Sequence, residues 1–278
     1  MPPAAFHATL ADVQPVEELE AANVRSLLGI CFDIDDTVTT QGILDRDAYA
    51  SLFALREAGL KLLAVTGRPL GFAEVFARTW PIDAAVGENG AGFIAHSAQG
   101  TCTIYWDDEA TRRAQAGKLA QLREALEREL PQMSLSTDMW ARRCDLAYDI
   151  GEYARPPEQC VERLVEIAQA HGARTTVSSV HAHAQFGDHD KARGAARAIE
   201  TLWQIDPEQA RRSFLFVGDS GNDAAPFAWF KHTVGVANVV RHLDRLPTPP
   251  RFVTKDACGA GFAEVAALVL ARRQTSRS

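Results

Sequence analysis

Three carboxylates fall within four positions of the stretch FDIDDTVTT (32–40): Asp33, Asp35 and Asp36. They directly follow the apolar run LLGICF. Like-charged carboxylates repel, and an unpaired one is costly to bury. A shared cation makes such a cluster tolerable where a buried strand ends. One aspartate, Asp33, can attack phosphorus as a nucleophile. A second, Asp35, can protonate the leaving oxygen and later activate water. A carboxylate approaching a phosphate needs its repulsion cancelled. A hard cation such as Mg²⁺, bound by oxygens of Asp33 and Asp219, does this. Lys191 and the Thr66 hydroxyl are candidates to hold the remaining phosphate oxygens.

These groups stand at the ends of predicted elements. SLLGICFDI (26–34) reads as a buried strand and LKLLAVT (60–66) as a second, closed by GRP. IDAAVG, SFLFVG (213–218) and HTVGVA (232–237) read as further strands. Helices are predicted over 45–59, ending at Gly59, and over GFAEVFARTW, stopped by Pro81. Apolar strands alternating with helices predict a parallel sheet covered on both faces. Ligands in such sheets bind at the carboxyl ends of the strands. There the sequence places DIDDT (33–37), TGRP (66–69) and GDSGND (218–223), with Lys191 in the first turn of a helix opened by GDHDK.

The middle of the chain has a different pattern. GFIAHSAQGTCTIYW (92–106) reads as a hairpin, and residues 109–130 and 157–171 carry apolar residues at helical spacing. Two segments alternate with period two. Arg143, Asp145 and Asp149 share one face, opposite Cys144, Leu146, Tyr148 and Ile150. His181, His183 and Gln185 likewise oppose Ala182, Ala184 and Phe186. One polar and one apolar face predict an open sheet with helices on one side only. This is an α+β module inserted into an α/β domain. The expected division is an N-terminal extension (1–24), a core in two parts (25–105 and 188–278) and a cap (106–187).

In their order, DIDDT, the Thr of AVTGRP, Lys191 and GDSGND resemble the four motifs of the haloacid-dehalogenase-like (HAD) phosphohydrolases. The resemblance implies a Rossmann-like core with a parallel sheet, plus an inserted α+β cap with an open-faced sheet. It implies that Asp33 is nucleophile and metal ligand. Asp35 would be general acid/base, with its backbone carbonyl on the metal. Thr66, Gly67 and Lys191 would bind the phosphoryl group. Asp219 would ligate the metal, with Asn222 and Asp223 completing or orienting its shell. Asp36 stands where many relatives carry Gly or Asn, and is expected to cap the following turn.

The insert lies between TGRP and Lys191. With VGENGAGF, its position resembles the large type-two-cap sugar-phosphatase branch, whose relatives include sucrose-, trehalose-, mannosyl-3-phosphoglycerate and kanosamine-6-phosphate phosphatases. The expected activity is Mg²⁺-dependent hydrolysis of a sugar phosphate or similar small phosphomonoester through an aspartyl-phosphate. The alternative is a phosphomutase of the phosphomannomutase type. Arg143, Asp145, Asp149, His181, His183 and Gln185 are the candidate cap contacts to substrate, and Glu88 and Asn89 the candidate core–cap turn.

Composition narrows the partners. A formal net charge of -7 over 278 residues argues against a nucleic-acid partner. The five cysteines are scattered without a CxxC pair. That fits a reducing cytoplasm better than a disulfide or zinc framework. No apolar run approaches the ~20 residues that span a bilayer, so no membrane partner is expected, and the N-terminal stretch lacks a signal-peptide pattern. The expected partner is a small-molecule phosphate ester, with the chain acting as a monomer or homodimer.

Overall fold

The computed structural model describes residues 12–274. The chain begins with a short strand β1 (Gln14–Pro15) and helix α1 (Ala21–Arg25), then enters β2 (Gly29–Phe32). A small hairpin, β3 (Thr39–Thr40) and β4 (Ile43–Leu44), leads to α2 (Arg46–Glu57). There follow β5 (Lys61–Val65), α3 (Leu70–Thr79), β6 (Ala84–Gly87), β7 (Gly92–Ser97) and β8 (Gly100–Tyr105). Next come α4 (Glu109–Glu129), β9 (Asp145–Asp149), α5 (Glu158–Ala170), β10 (Arg174–Val177) and β11 (His181–Gln185). The chain closes with α6 (Lys191–Trp203), α7 (Pro207–Ser213), β12 (Phe214–Gly218), α8 (Ala224–Trp229), β13 (His232–Gly235), β14 (Phe252–Val253) and α9 (Cys258–Gln274).

Nine strands form one sheet in the order β1-β14-β13-β12-β2-β5-β6-β7-β8. From β1 to β6 every pairing is parallel. The expectation of a parallel core holds there, but β7 and β8 extend the edge as an antiparallel hairpin. The central strands are fully buried on both faces. Ile30, Phe32, Leu62, Ala64, Leu215 and Val217 join the cluster under α2 and α9. Cys31, Leu63, Val65, Phe214 and Phe216 join the cluster under α6 and α8. This two-sided burial explains why the strands read as continuous apolar runs.

Residues 1–11 of the expected N-terminal extension lie outside the described residues. The rest of that segment belongs to the core. Gln14–Pro15 pairs with Phe252–Val253, and Val16, Leu19 and Val24 are completely buried. Four apolar side chains in 13–24 were the signal for this, too widely spaced to form a recognisable period.

Between β8 and α6 the chain builds a second sheet, antiparallel, in the order β10-β11-β9. Leu146, Tyr148, Ala182 and Ala184 pack with Leu119, Leu122, Leu126, Leu164 and Ile167 of α4 and α5. The helices therefore cover one face, as the alternation predicts. On the other face Asp145, Asp149, His181, His183 and Gln185 are each no more than 3% exposed. That face is covered by the nine-stranded domain instead of water. No described helix is long and apolar enough to cross a membrane.

Candidate active site

The carboxyl ends of β2, β5, β6 and β12 converge. Parallel pairing carries on past β2, where the Asp33 N–H donates to the Val217 carbonyl at 2.9 Å. This fixes Asp33 at the mouth of the sheet, 3% exposed. Past β5, the buried Thr66 hydroxyl accepts the Arg68 N–H at 3.0 Å. Past β12, the Asp223 carboxylate accepts the N–H groups of Asp219 and Ser220 at 2.9 and 3.1 Å, folding GDSGND back on itself.

Lys191 enters from the start of α6. Its approach depends on two glycines. A Cβ on Gly194 would lie 2.6 Å from the Gly90 Cα, and one on Gly90 would lie 2.2 Å from the Asp190 carbonyl oxygen. Only glycine at both positions lets α6 come this close to the turn. The turn is strained as well, with Glu88, Asn89 and Gly90 all at positive φ. The Lys191 Nζ then sits 2.9 Å from Asp33 Oδ2 and 2.8 Å from Asp223 Oδ1, with the side chain fully buried. Burial opposes its charge, but Asp223 and Asp33 outweigh that and hold the ammonium above its usual range. Burial pushes Asp33 up to about 8, with Lys191 opposing. Asp219 is driven up by burial and by the neighbouring Asp223 and Asp33.

Asp33, Asp219 and Asp223 each offer an oxygen within 4.8 Å of the others. Asp33 Oδ1 is buried with no hydrogen-bond partner among the described residues. Crowded hard oxygen donors with one orphaned atom fit a divalent cation such as Mg²⁺. Thr37 Oγ1 and Asn238 Nδ2 donate to the two oxygens of Asp219 at 3.3 and 2.9 Å, which aims that carboxylate. The Asn222 amide is buried beside this group. It accepts from Ser220 Oγ and contacts Asn89 Oδ1. Asp36 takes the left-handed conformation at φ 53° and accepts the Gln41 N–H, as a turn cap does. Asp and Asn tolerate this conformation better than other side chains.

Asp35 shares a wall with Asp33 but has a different partner. Arg68 donates to Asp35 Oδ1 through Nε and Nη2 at 3.0 and 2.7 Å, and to Oδ2 through Nε at 2.9 Å. The same guanidinium reaches Glu152 Oε1 at 3.0 Å and lies 3.5 Å from Asp138 Oδ2, both in the inserted module. A small cavity of about 10 Å³ is lined by Asp33, Asp35, Gly67, His183, Asn222 and the turn Ser178–Val180. It has room for about one water. Asp35 also lines a separate cleft of about 880 Å³.

The predicted cap residues fall into distinct places. His181 and His183 line the small cavity. His183 Nδ1 lies 2.9 Å from Asp145 Oδ2. Burial lowers the imidazole pKa to about 4, with Asp145 opposing, so the ring is neutral at pH 7. The carboxylate only accepts, so Nδ1 carries the proton. Nε2 faces Gly67, 3.2 Å from where a Cβ there would be. His181 Nε2 contacts Ser136 Oγ and Glu152 Oε2 at 2.9 and 3.1 Å.

Three predicted contacts make hydrogen bonds within the protein. Asp145 is occupied by Arg142 and His183. Asp149 accepts the N–H groups of Gly151, Glu152, Tyr153 and Ala154. Gln185 donates to the His189 carbonyl through Nε2, while its Oε1 is buried with no hydrogen-bond partner among the described residues. Arg143 lies elsewhere, on Tyr105 and Glu74, because β9 begins only at Asp145 and the alternation does not extend back to it.

The neighbouring Arg142 goes inward. It donates to Asp138, Asp145 and the Gly67 carbonyl with its side chain fully buried. Glu88 does join the two parts. Its carboxylate accepts the N–H groups of Leu70, Arg143 and Cys144. Sequence reasoning missed Arg68, Asp138, Arg142, Glu152, Ser178–Val180 and Asn238. Arg68 alone carried a signal, its place beside Thr66–Gly67.

No protein-family model and no curated protein matches this sequence. Solved structures do match. The sucrose-phosphatase of Synechocystis sp., in complex with sucrose and phosphate, is 17% identical with a TM-score of 0.61, covering 88% of this chain and 98% of its own. The C-terminal domain of the Candida albicans trehalose-6-phosphate phosphatase is 12% identical with a TM-score of 0.64, covering 94% and 99%. A Bacteroides thetaiotaomicron protein described among phosphatases of the HAD superfamily is 16% identical with a TM-score of 0.57, covering 87% and 94%. This chain has the fold of these HAD proteins over nearly its whole described length.

Proposed function

We propose that this chain is a Mg²⁺-dependent phosphoric monoester hydrolase. Its substrate is a sugar phosphate or similar small phosphomonoester, and the reaction runs through an aspartyl-phosphate on Asp33. One observation carries this reading. A buried carboxylate has one oxygen on Lys191 and the other uncommitted, and a second carboxylate two residues on lines the same cavity. The fold shared with sucrose- and trehalose-6-phosphate phosphatases supports it.

A carboxylate oxygen of Asp33 attacks phosphorus as the bond to the leaving oxygen breaks, and Asp35 delivers the proton to that oxygen. Asp35 then takes a proton from water, which attacks the phosphorus of the acyl phosphate. Inorganic phosphate leaves and the Asp33 carboxylate is restored. Lys191, Thr66 and Gly67 hold the non-bridging oxygens. Bound Mg²⁺ supplies charge neutralisation between the Asp33 carboxylate and the phosphate dianion. Asp33, the Asp35 carbonyl and Asp219 would hold it, with Asn222 and Asp223 completing or orienting the shell. Positioning and electrostatics supply most of the catalysis in such a site. Residues 106–187 act as the cap that carries His181 and His183 over it. Five free cysteines fit a cytoplasmic setting. No observation favours the mutase alternative.

The test is hydrolysis of p-nitrophenyl phosphate. Wild type should turn it over with Mg²⁺ and stop with a chelator. Asp33→Asn should lower the rate by about three orders of magnitude or more. A wild-type rate in that variant would sink the assignment.

A further inference from the structure

The cleft of about 880 Å³ that opens from Asp35 is where the leaving group sits if Asp35 protonates it, and any role for the cleft in recognition rests on that reading. Its polar walls are unevenly committed. Asp35 and Glu152 are both taken by Arg68. Asp36 accepts the Gln41 N–H. The cations fare differently. Arg155 comes from the cap and Arg241 from the core segment Ala237–Arg245. Among the described residues neither makes a hydrogen bond or ion pair, and both are exposed to the cleft. His242 lies beside Arg241 on the same wall.

Recognition of a neutral polyol calls for uncommitted acceptors as well as donors. Here Arg155 and Arg241 have no carboxylate partner, and guanidiniums offer only donors and suit carboxylate or phosphate, while Asp36 keeps one oxygen without a hydrogen bond. The same cleft exposes Ile43 (73%) and Tyr153 (77%), apolar surface against which a carbon skeleton can lie.

We infer that Arg155 and Arg241 form a subsite for a second anionic group, so the substrate is a phosphomonoester whose leaving group itself carries a phosphate or carboxylate. One arginine comes from each side, so the anion is gripped by cap and core together. A phosphorylated sugar with a free far end leaves both arginines idle.

The experiment compares kcat/KM for fructose 1,6-bisphosphate, 3-phosphoglycerate and glucose 6-phosphate, each divided by the value for p-nitrophenyl phosphate. The expected result is a preference of about tenfold or more for a doubly anionic ester over glucose 6-phosphate, equal to about 1.4 kcal/mol. That preference should fall about tenfold in Arg155→Ala or Arg241→Ala and vanish in the double variant. Preference for glucose 6-phosphate, or a preference that survives the double variant, overturns the subsite.

Wild type that hydrolyses no ester, p-nitrophenyl phosphate included, overturns the phosphatase reading instead. Calorimetric binding to Asp33→Asn then decides the subsite alone. Fructose 1,6-bisphosphate binding more tightly than glucose 6-phosphate, with the difference lost in the double arginine variant, upholds it. Equal binding overturns it.

Discussion

Arg68 holds both oxygens of Asp35 with three hydrogen bonds of 2.7–3.0 Å, and its other contacts are carboxylates of the inserted module, Glu152 and Asp138. The proposed acid/base is thus positioned by a residue that also grips the cap. Arg68→Lys keeps the charge and loses the fork. Displacing a catalytic group by about 1 Å costs on the order of a hundredfold. We expect Arg68→Lys to lower kcat for p-nitrophenyl phosphate by about 10- to 100-fold. A structural role alone would lower the melting temperature and leave kcat intact, so both are measured.

The metal prediction concerns Asp33, Asp219 and Asp223, whose buried carboxylates face one another with Lys191 as their cation. Mg²⁺ at a hundred times its Kd should stabilise the fold by about 2.7 kcal/mol, a rise in Tm of a few degrees. Asp219→Asn should abolish that rise in a thermal-shift assay.

Proton linkage gives this effect a sign. Burial lifts Asp33 to about 8, against about 3.9 in the unfolded chain. A raised carboxyl contributes stability below about pH 4 that is lost as pH rises through about 8. The metal-free Tm should therefore decline across that window, and Mg²⁺ should flatten the decline. Because the metal displaces the proton, its affinity should climb with pH up to about 8. Calorimetry in two buffers of different ionisation enthalpy measures the released proton.

Glu88 is fully buried and receives three backbone N–H groups, one from α3 and two from the approach to β9. Glu88→Gln turns one acceptor oxygen into a donor facing those amides. Leaving a buried amide unsatisfied costs about 1–3 kcal/mol. Denaturant titration should show a loss near the top of that range, because the side chain receives three amides.

Arg142 has the same kind of exposure to loss. Its fully buried guanidinium compensates Asp138 and Asp145, themselves buried. Removing one partner of a buried ion pair costs about 3–5 kcal/mol. Arg142→Met should destabilise by about that amount, whereas Arg143→Met, on the exposed pair with Glu74, should change stability by less than about 1 kcal/mol.

Legibility in the sequence divides along physical lines. Asp33, Asp35, Thr66, Asp219 and Asp223 sit at strand ends, where an apolar run stopping at acids or a hydroxyl is visible locally. The α+β character of 106–187 was visible because β9 and β11 alternate with period two over a covered apolar face. Alternation cannot say what covers the polar face. Asp145 and Asp149 therefore read as open substrate contacts, whereas Arg142, His183 and backbone amides engage them, and Gln185 is engaged only through Nε2. Arg142, Asp138 and Glu152 lie just outside strands, and their links to Gly67 and Arg68 span long sequence separations, so no spacing rule points to them. The edge hairpin β7–β8 was legible as a hairpin, but its attachment to β6 was not.

The cavity beside Asp33 holds about one water, which is less than a phosphoryl group occupies. The Ser178–Val180 turn lines this cavity, and Gly221 packs close by, where a Cβ would lie 3.0 Å from the Val177 carbonyl oxygen. We expect loading of the ester and discharge of phosphate each to require movement of this turn. Such motion can limit turnover as readily as bond breaking does. Under that regime added viscogen slows kcat, inorganic phosphate is a slow-leaving inhibitor, and esters with very different leaving groups turn over at one common rate.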